Sequence, residues 1–220
     1  MQGEVYIRVK EILEKIPNGV MVVAATKTRS VEEIKEAISA GIHAIGENYV
    51  QEAKTKYPYI EEKIAWHLIG HLQKNKVKDA VKLFDMIETV DSFKIAQEIN
   101  KRCSMVRKVM PILIQVNIGR ETSKSGILPE ELADLVENIS HLQWIRIKGL
   151  MTIEPYVENP EGSRIYFKEM RMLFEKIDNL HLPNVEMRYL SMGMSHNYHI
   201  AIQEKANIVR IGTAIFGPRS

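Results

Sequence analysis

Lys27 follows a run of seven uncharged residues, Val20 to Thr26 (VMVVAAT). An amine at the edge of an apolar core is held closer to its neutral, nucleophilic form, which suits Schiff-base chemistry with a carbonyl compound. An ordinary exposed lysine in a loop is the plainer reading of the same position. Two later segments bear on the choice. In SMGMSH, Ser191 to His196, Gly193 lets the backbone approach a ligand closely, and Ser195 is placed to cap a helix running through His199 and Ile202. Helix N-termini bind anions through free N–H groups and the helix dipole. In RIGT, Gly212 and Thr213 add another glycine and a hydroxyl, and Arg210 shares a strand face with Gly212. No carboxylate lies near Arg210 in sequence, so its partner is either a bound ligand or a distant acid. Tight turns also need glycine, and a turn is compatible with a phosphate site.

Other chemistries find less support. His67 and His71 are four apart, but Leu68 stands where an HExxH metal site needs glutamate, and the segment reads as strand. His196 and His199 read as surface histidines. No Walker, dinucleotide-binding or G-x-S-x-G pattern occurs. No metal site is therefore expected. Lys148 would be the nucleophile of a cofactor-free Schiff-base aldolase.

These residues need a frame, and the chain supplies a repeating one. Val5, Val9, Ile12, Leu13 and Ile16 recur at helical spacing, so the chain opens with a helix that Pro17-Asn18-Gly19 ends. Strand-like runs follow at 20–26, 43–46, 65–69, 86–90, 110–117, 145–151, 186–191 and 207–211, with a helical pattern in each gap. Ser30 and Glu33 form a capping box after the first run, and Pro129 suits a first helical turn. Gly119 to Leu128 reads as a loop. Eight alternating βα units predict a single (β/α)8 TIM barrel over residues 1–220 with an extra N-terminal helix, a doubly wound open sheet being the alternative. In a barrel the site lies at the C-terminal strand ends. There fall Lys27, Asn48, His67, His71, Asn117, Met151, Ser191, Gly193, Ser195, Arg210, Gly212 and Thr213.

Composition narrows the class. The 220 residues are 45% hydrophobic and 26% charged, with net charge +2. That balance gives no electrostatic reason to expect nucleic acid or an anionic membrane as partner. A single cysteine, Cys103, excludes an internal disulfide and fits a reducing, cytoplasmic setting. The N-terminus does not read as a signal peptide, and no apolar run approaches the roughly 18 residues a membrane span needs.

Eight segments in order carry a family resemblance. They are VAATKT around Lys27, IGENYVQE (Ile45 to Glu52), WHLIGHLQKNK (Trp66 to Lys76), VDS (Val90 to Ser92), VNIGRETSKSG (Val116 to Gly126), GLMTI (Gly149 to Ile153), LSMGMSHNYHIAI (Leu190 to Ile202) and VRIGTAIFG (Val209 to Gly217). On these the chain resembles the pyridoxal phosphate homeostasis proteins, which are related to the barrel domain of alanine racemase. The resemblance implies a cofactor, pyridoxal 5'-phosphate (PLP), held as an internal aldimine on Lys27. It implies that Ser191, Gly193, Met194, Ser195, Gly212 and Thr213 lie in the phosphate-holding segments. Arg210 then faces the pyridine nitrogen, and Asn48, His67 and Met151 line the ring pocket. An arginine there only donates, which makes the cofactor a poor electron sink. Family members often carry a small polar residue or histidine near Glu88, where this chain has IET; Glu88 is not assigned a catalytic role. Lys124 reads as a solvated lysine on a flexible loop, or as one that helps a phosphate arrive.

Alanine racemase uses a second base, a tyrosine on an extra C-terminal domain of the neighbouring subunit. This sequence ends at Ser220, just after strand eight. The expectation is therefore a monomeric PLP carrier without strong catalytic activity, one that buffers the cofactor or delivers it transiently to apo-enzymes. A small PLP-dependent amino-acid racemase using Lys27 as its base is the alternative.

Overall fold

In a computed structural model, which describes residues 3–218, eight strands alternate with helices. The strands are β1 (Met21–Ala25), β2 (Ala44–Glu47), β3 (Ala65–Leu68), β4 (Met86–Val90), β5 (Met110–Val116), β6 (Ile145–Thr152), β7 (Val185–Met194) and β8 (Ile208–Ile211). They close in sequence order into a barrel, each parallel to its neighbours, with β8 pairing back onto β1. Helix α1 (Glu4–Lys15) precedes the barrel, and α2 (Val31–Ser39), α3 (Val50–Lys56), α4 (Val77–Leu83), α5 (Phe93–Val106), α6 (Leu132–Ser140), α7 (Arg164–Asp178), α8 (Tyr198–Gln203) and α9 (Thr213–Phe216) follow successive strands. The closed barrel, rather than the open sheet, is what the βα alternation built.

Strand alternation divides the core into two layers. Val22 and Ala24 pack outward with helix residues such as Ile34, Val81, Ile99 and Phe167. Val23 belongs instead to a separate inner cluster with Ala44, Ile69, Met86, Leu113, Met151 and Ile208. A strand with apolar residues on both faces is what a parallel sheet covered by helices requires. Ser30 starts α2 as its spacing predicts: its hydroxyl accepts the Glu33 N–H while the Glu33 carboxylate accepts the Ser30 N–H. Such a cap contributes about 1 kcal/mol. Gly149 has φ +146°, and a Cβ there would lie 1.8 Å from the Tyr189 carbonyl oxygen, so β6 and β7 approach at that point only with glycine. The extra helix α1 packs against α2 and α9.

Two boundaries differ from expectation. Strand β7 runs on to Met194, past the Ser191 at which the sequence pattern ends it, and so takes in Gly193. The register with β8 shifts between Ser191 and Met194, and Gly193 at φ +88° absorbs that irregularity, so glycine here bends a strand rather than ending it. Ser195 does not cap the helix after β7. Asn197 occupies the N-cap position of α8, and the Ser195 hydroxyl turns toward β8. Among the described residues no helix is long and apolar enough to cross a membrane, and no cluster of His, Cys, Asp and Glu could hold a metal ion.

Candidate functional site

The inner face of the barrel changes from apolar to polar toward the C-terminal strand ends. Each polar residue there sits two positions from an inward apolar one, the spacing that keeps a strand face. His67 precedes Ile69, Glu88 follows Met86, Ser191 follows Tyr189 and Arg210 follows Ile208. All four are buried. His67 Nδ1 lies 2.6 Å from Glu88 Oε1, and the Ser191 hydroxyl donates to Glu88 Oε2 at 2.6 Å. Arg210 donates to Ser191 Oγ and to the Thr152 carbonyl, both at 2.6 Å. The distant acid that Arg210 required is thus Glu88, reached through one hydroxyl. With a carboxylate against it, Nδ1 is the His67 nitrogen that donates.

The charges in this layer shift each other. Burial works against ionisation of Glu88, yet the His67 hydrogen bond, the charges of His67 and Arg210 and the Ser191 hydroxyl together bring its carboxyl below the ordinary value. Burial pushes the Arg210 guanidinium down, and Glu88 and Glu154 oppose that. Arginine nevertheless stays protonated in a protein.

Above this layer stands Lys27, half-buried in the turn two residues past β1. Its Nζ is 3.5 Å from the Tyr49 hydroxyl and 5.0 Å from the centre of the Tyr49 ring. A Cβ built on Gly212 would meet Ala25 at 3.5 Å, so the ends of β8 and β1 lie against each other. Beside them the Ser195 hydroxyl accepts the N–H groups of Gly212 and Ala214, each at 3.2 Å. Thr213 is exposed at the first position of α9. The loop after β7 is pinned by Asn197, whose Oδ1 accepts the Met194 N–H at 3.0 Å. The Asn197 amide donates to Glu154 at 2.6 Å and to Ser163 at 2.8 Å. Gly193 is packed so closely that a Cβ would sit 2.5 Å from Ala201 Cβ. Asn48 lines a cavity of about 240 Å³ with Gly70, His71, Gln115 and Lys124.

The residues singled out from sequence thus form two groups. Lys27, Met194, Ser195, Gly212 and Thr213 ring the strand ends at the surface, Met194 about one-third exposed, with Gly193 buried just beneath them. His67, Ser191 and Arg210 lie deeper as one hydrogen-bonded set, so the Ser191 hydroxyl is occupied by Glu88 and Arg210. Met151 is fully buried in the apolar inner cluster. Lys148, the nucleophile of the aldolase reading, is ion-paired with Glu186.

Residues 5–220 match the model of the alanine racemase N-terminal domain. A pyridoxal phosphate homeostasis protein from Aquifex aeolicus is 40% identical over 96% of this chain and 97% of its own length. The chain belongs to the pyridoxal phosphate homeostasis protein family. PipY of Synechococcus elongatus, solved without PLP, superposes with TM-score 0.91 at 31% identity, covering 97% of this chain and all of PipY. PipY with PLP bound gives 0.89 at 30% identity over the same spans. Alanine racemase from Clostridium difficile has the same fold at 15% identity and TM-score 0.78. This chain covers 56% of that chain, which covers 98% of this one.

Sequence reading missed two contributors. Glu88 is a charge in an otherwise uncharged strand, two residues from inward-facing Met86, and that spacing was the available signal. Tyr49 follows Asn48 in the IGENYVQE segment; nothing local told that its ring would stand beside Lys27.

Proposed function

We propose that this chain binds pyridoxal 5'-phosphate reversibly at the C-terminal end of the barrel and serves intracellular PLP homeostasis. The observation that carries the reading is the adjacency of a lysine amine and a hydroxyl-lined glycine segment: Lys27 at the end of β1, with Ser195, Gly212 and Thr213 beside it. The donor set fits PLP. Lys27 offers the primary amine for covalent attachment, Ser195, Thr213 and the backbone of the glycine segment offer donors to the phosphate, and Arg210 offers a fixed cation below. Asn48 and His67 border the ring in this reading. When bound, PLP supplies an aldehyde that condenses reversibly with a primary amine. Lys27 is the residue that takes it, Tyr49 limits where the amine points, and the buried Glu88 holds Arg210 in place through Ser191.

The homeostasis reading takes precedence over a small racemase because the relative from Aquifex aeolicus, matched over nearly its whole length, carries that name. A monomer that hands PLP transiently to apo-enzymes completes the proposal; a closed barrel with no free strand edge supports the monomer.

The test is the visible spectrum of the purified protein with added PLP, beside a Lys27→Ala variant. A yellow band that borohydride bleaches, with the label then on the Lys27 peptide, is the expected result. A protein that stays colourless with PLP refutes binding, and a label found on another lysine refutes the assignment to Lys27.

A further inference from the structure

Lys56, the last residue of α3, is 7% exposed. A buried ammonium is costly unless its donors are satisfied and its charge is paired. An ammonium has three N–H donors, and here each finds an acceptor at 2.7 Å: the Thr26 carbonyl, Glu47 Oε1 and Glu52 Oε1. Two of these acceptors lead back to the peptide units that flank Lys27. The Thr26 carbonyl belongs to the peptide bond preceding Lys27. Glu52 Oε1 also accepts the Thr28 N–H at 2.5 Å, the peptide bond following it. The Thr26 hydroxyl closes the figure by donating to Glu47 Oε1 at 2.7 Å.

The backbone at the second of these ties is strained. Thr28 has φ +66°, a left-handed conformation that a β-branched residue adopts only where its surroundings impose it. Burial pushes the Glu47 carboxyl up, the Lys56 bond and charge only partly oppose it, and Glu47 Oε2 is buried without a partner.

We infer that Lys56, with Glu47 and Glu52, is a positioning group for Lys27: it clamps the backbone on both sides of that residue and so aims its amine. The inference rests on the PLP-binding reading for its substrate. It also assigns the two lysines different tasks. Lys56, with all three N–H groups engaged, has no lone pair for an aldehyde, which leaves Lys27 as the reactive amine of the pair.

The test uses Lys56→Met, Thr26→Val and Thr26→Ser in the full chain, with three readouts. The first is the rate at which PLP becomes attached to Lys27, followed by the visible band and by borohydride trapping. The second is the affinity for pyridoxine 5'-phosphate, which keeps the phosphate and ring but lacks the aldehyde. The third is acetylation of Lys27 by acetic anhydride in the PLP-free protein, read by peptide mass spectrometry. Misaimed reacting groups slow a reaction by factors on the order of tenfold to a hundredfold, and attachment in Lys56→Met and Thr26→Val is expected to slow by that much. Lys27 acetylation changes in the same two variants, affinity for pyridoxine 5'-phosphate is unchanged, and Thr26→Ser behaves as wild type. Attachment at the wild-type rate overturns the inference, as does a loss of pyridoxine 5'-phosphate affinity in equal proportion, which marks a general structural role. If Lys56→Met does not fold, the Val and Ser variants of Thr26 decide. If wild type takes up no PLP, the functional reading fails, and equal Lys27 acetylation in wild type and both variants then overturns the positioning role separately.

Discussion

Replacing Glu88 by glutamine keeps the shape of the side chain and removes its charge. In the native protein both carboxylate oxygens are used, one by His67 and one by Ser191, and Ser191 relays to Arg210. Glutamine has one acceptor oxygen, so one of the two partners meets an amide NH2 instead. Arg210 meanwhile loses the carboxylate that balances it. Removing one member of a buried ion pair costs about 3–5 kcal/mol. Because Ser191 stands between Glu88 and Arg210, the lower end applies, about 3 kcal/mol. For a chain of this size 1 kcal/mol moves Tm by about 2–4 °C, so a fall of about 6–12 °C is expected at neutral pH.

The pH dependence gives a second, independent check. The Glu88 carboxyl is held below its ordinary value in the folded protein. Its stabilising contribution is therefore full above the unfolded glutamate value, about 4.3, and is lost as pH falls through the lower folded-state value. The Tm gap between wild type and Glu88→Gln should be widest near neutrality and close in acid. Thermal melts from neutral to acid pH measure it. A variant that melts with wild type at neutral pH, or a gap that persists unchanged into acid, refutes the claim that Glu88 is the ionised partner of Arg210.

Two further outcomes are expected. Gly193→Ala places a methyl 2.5 Å from Ala201 Cβ at a backbone with φ +88°, costing about 1–3 kcal/mol in overpacking and a similar amount in strain; it should lower Tm and weaken PLP uptake together, and an alanine variant with wild-type uptake would show that the β7 bend does not shape the site. Burial, against an opposing Lys108, pushes the Cys103 thiol up to about 11, so iodoacetamide should label it at neutral pH only after unfolding; labelling of the folded protein at the unfolded rate would contradict that.

Barrel and strand order were legible because they rest on local pattern. Eight strand-like runs, each followed by a helical period, admit few arrangements, and the capping box at Ser30 appeared where its four-residue signature put it. The place of Lys27, just past the end of β1, was legible for the same reason, as the first charge after an apolar strand. The interior polar set was not. Ser191 and Glu88 are 103 residues apart, and nothing near Arg210 in sequence says which of many acids the closed barrel brings to it. Ser195 failed for a related reason: a serine before a short helix is a cap by local rules, and only the pairing of β7 with β8 shows that its hydroxyl faces the N–H groups of Gly212 and Ala214.

Two lysines serve the first turn of this barrel, and composition treats them alike. Their neighbours do not. The Lys56 amine has three acceptors at 2.7 Å and is nearly sealed from water. Lys27 meets the Tyr49 hydroxyl at 3.5 Å, at the outer limit of a hydrogen bond, and the ring face at 5.0 Å. An amine engaged by a full set of acceptors cannot attack a carbonyl without giving up those bonds. One that rests against an aromatic ring gives up little. The same reasoning applies to the deeper cation: Arg210 is already balanced by Glu88 through Ser191, so it can offer its remaining N–H groups to a ligand without needing that ligand's charge. Reactivity at this end of the barrel is therefore set less by which basic residues are present than by which of their donors the fold has already used.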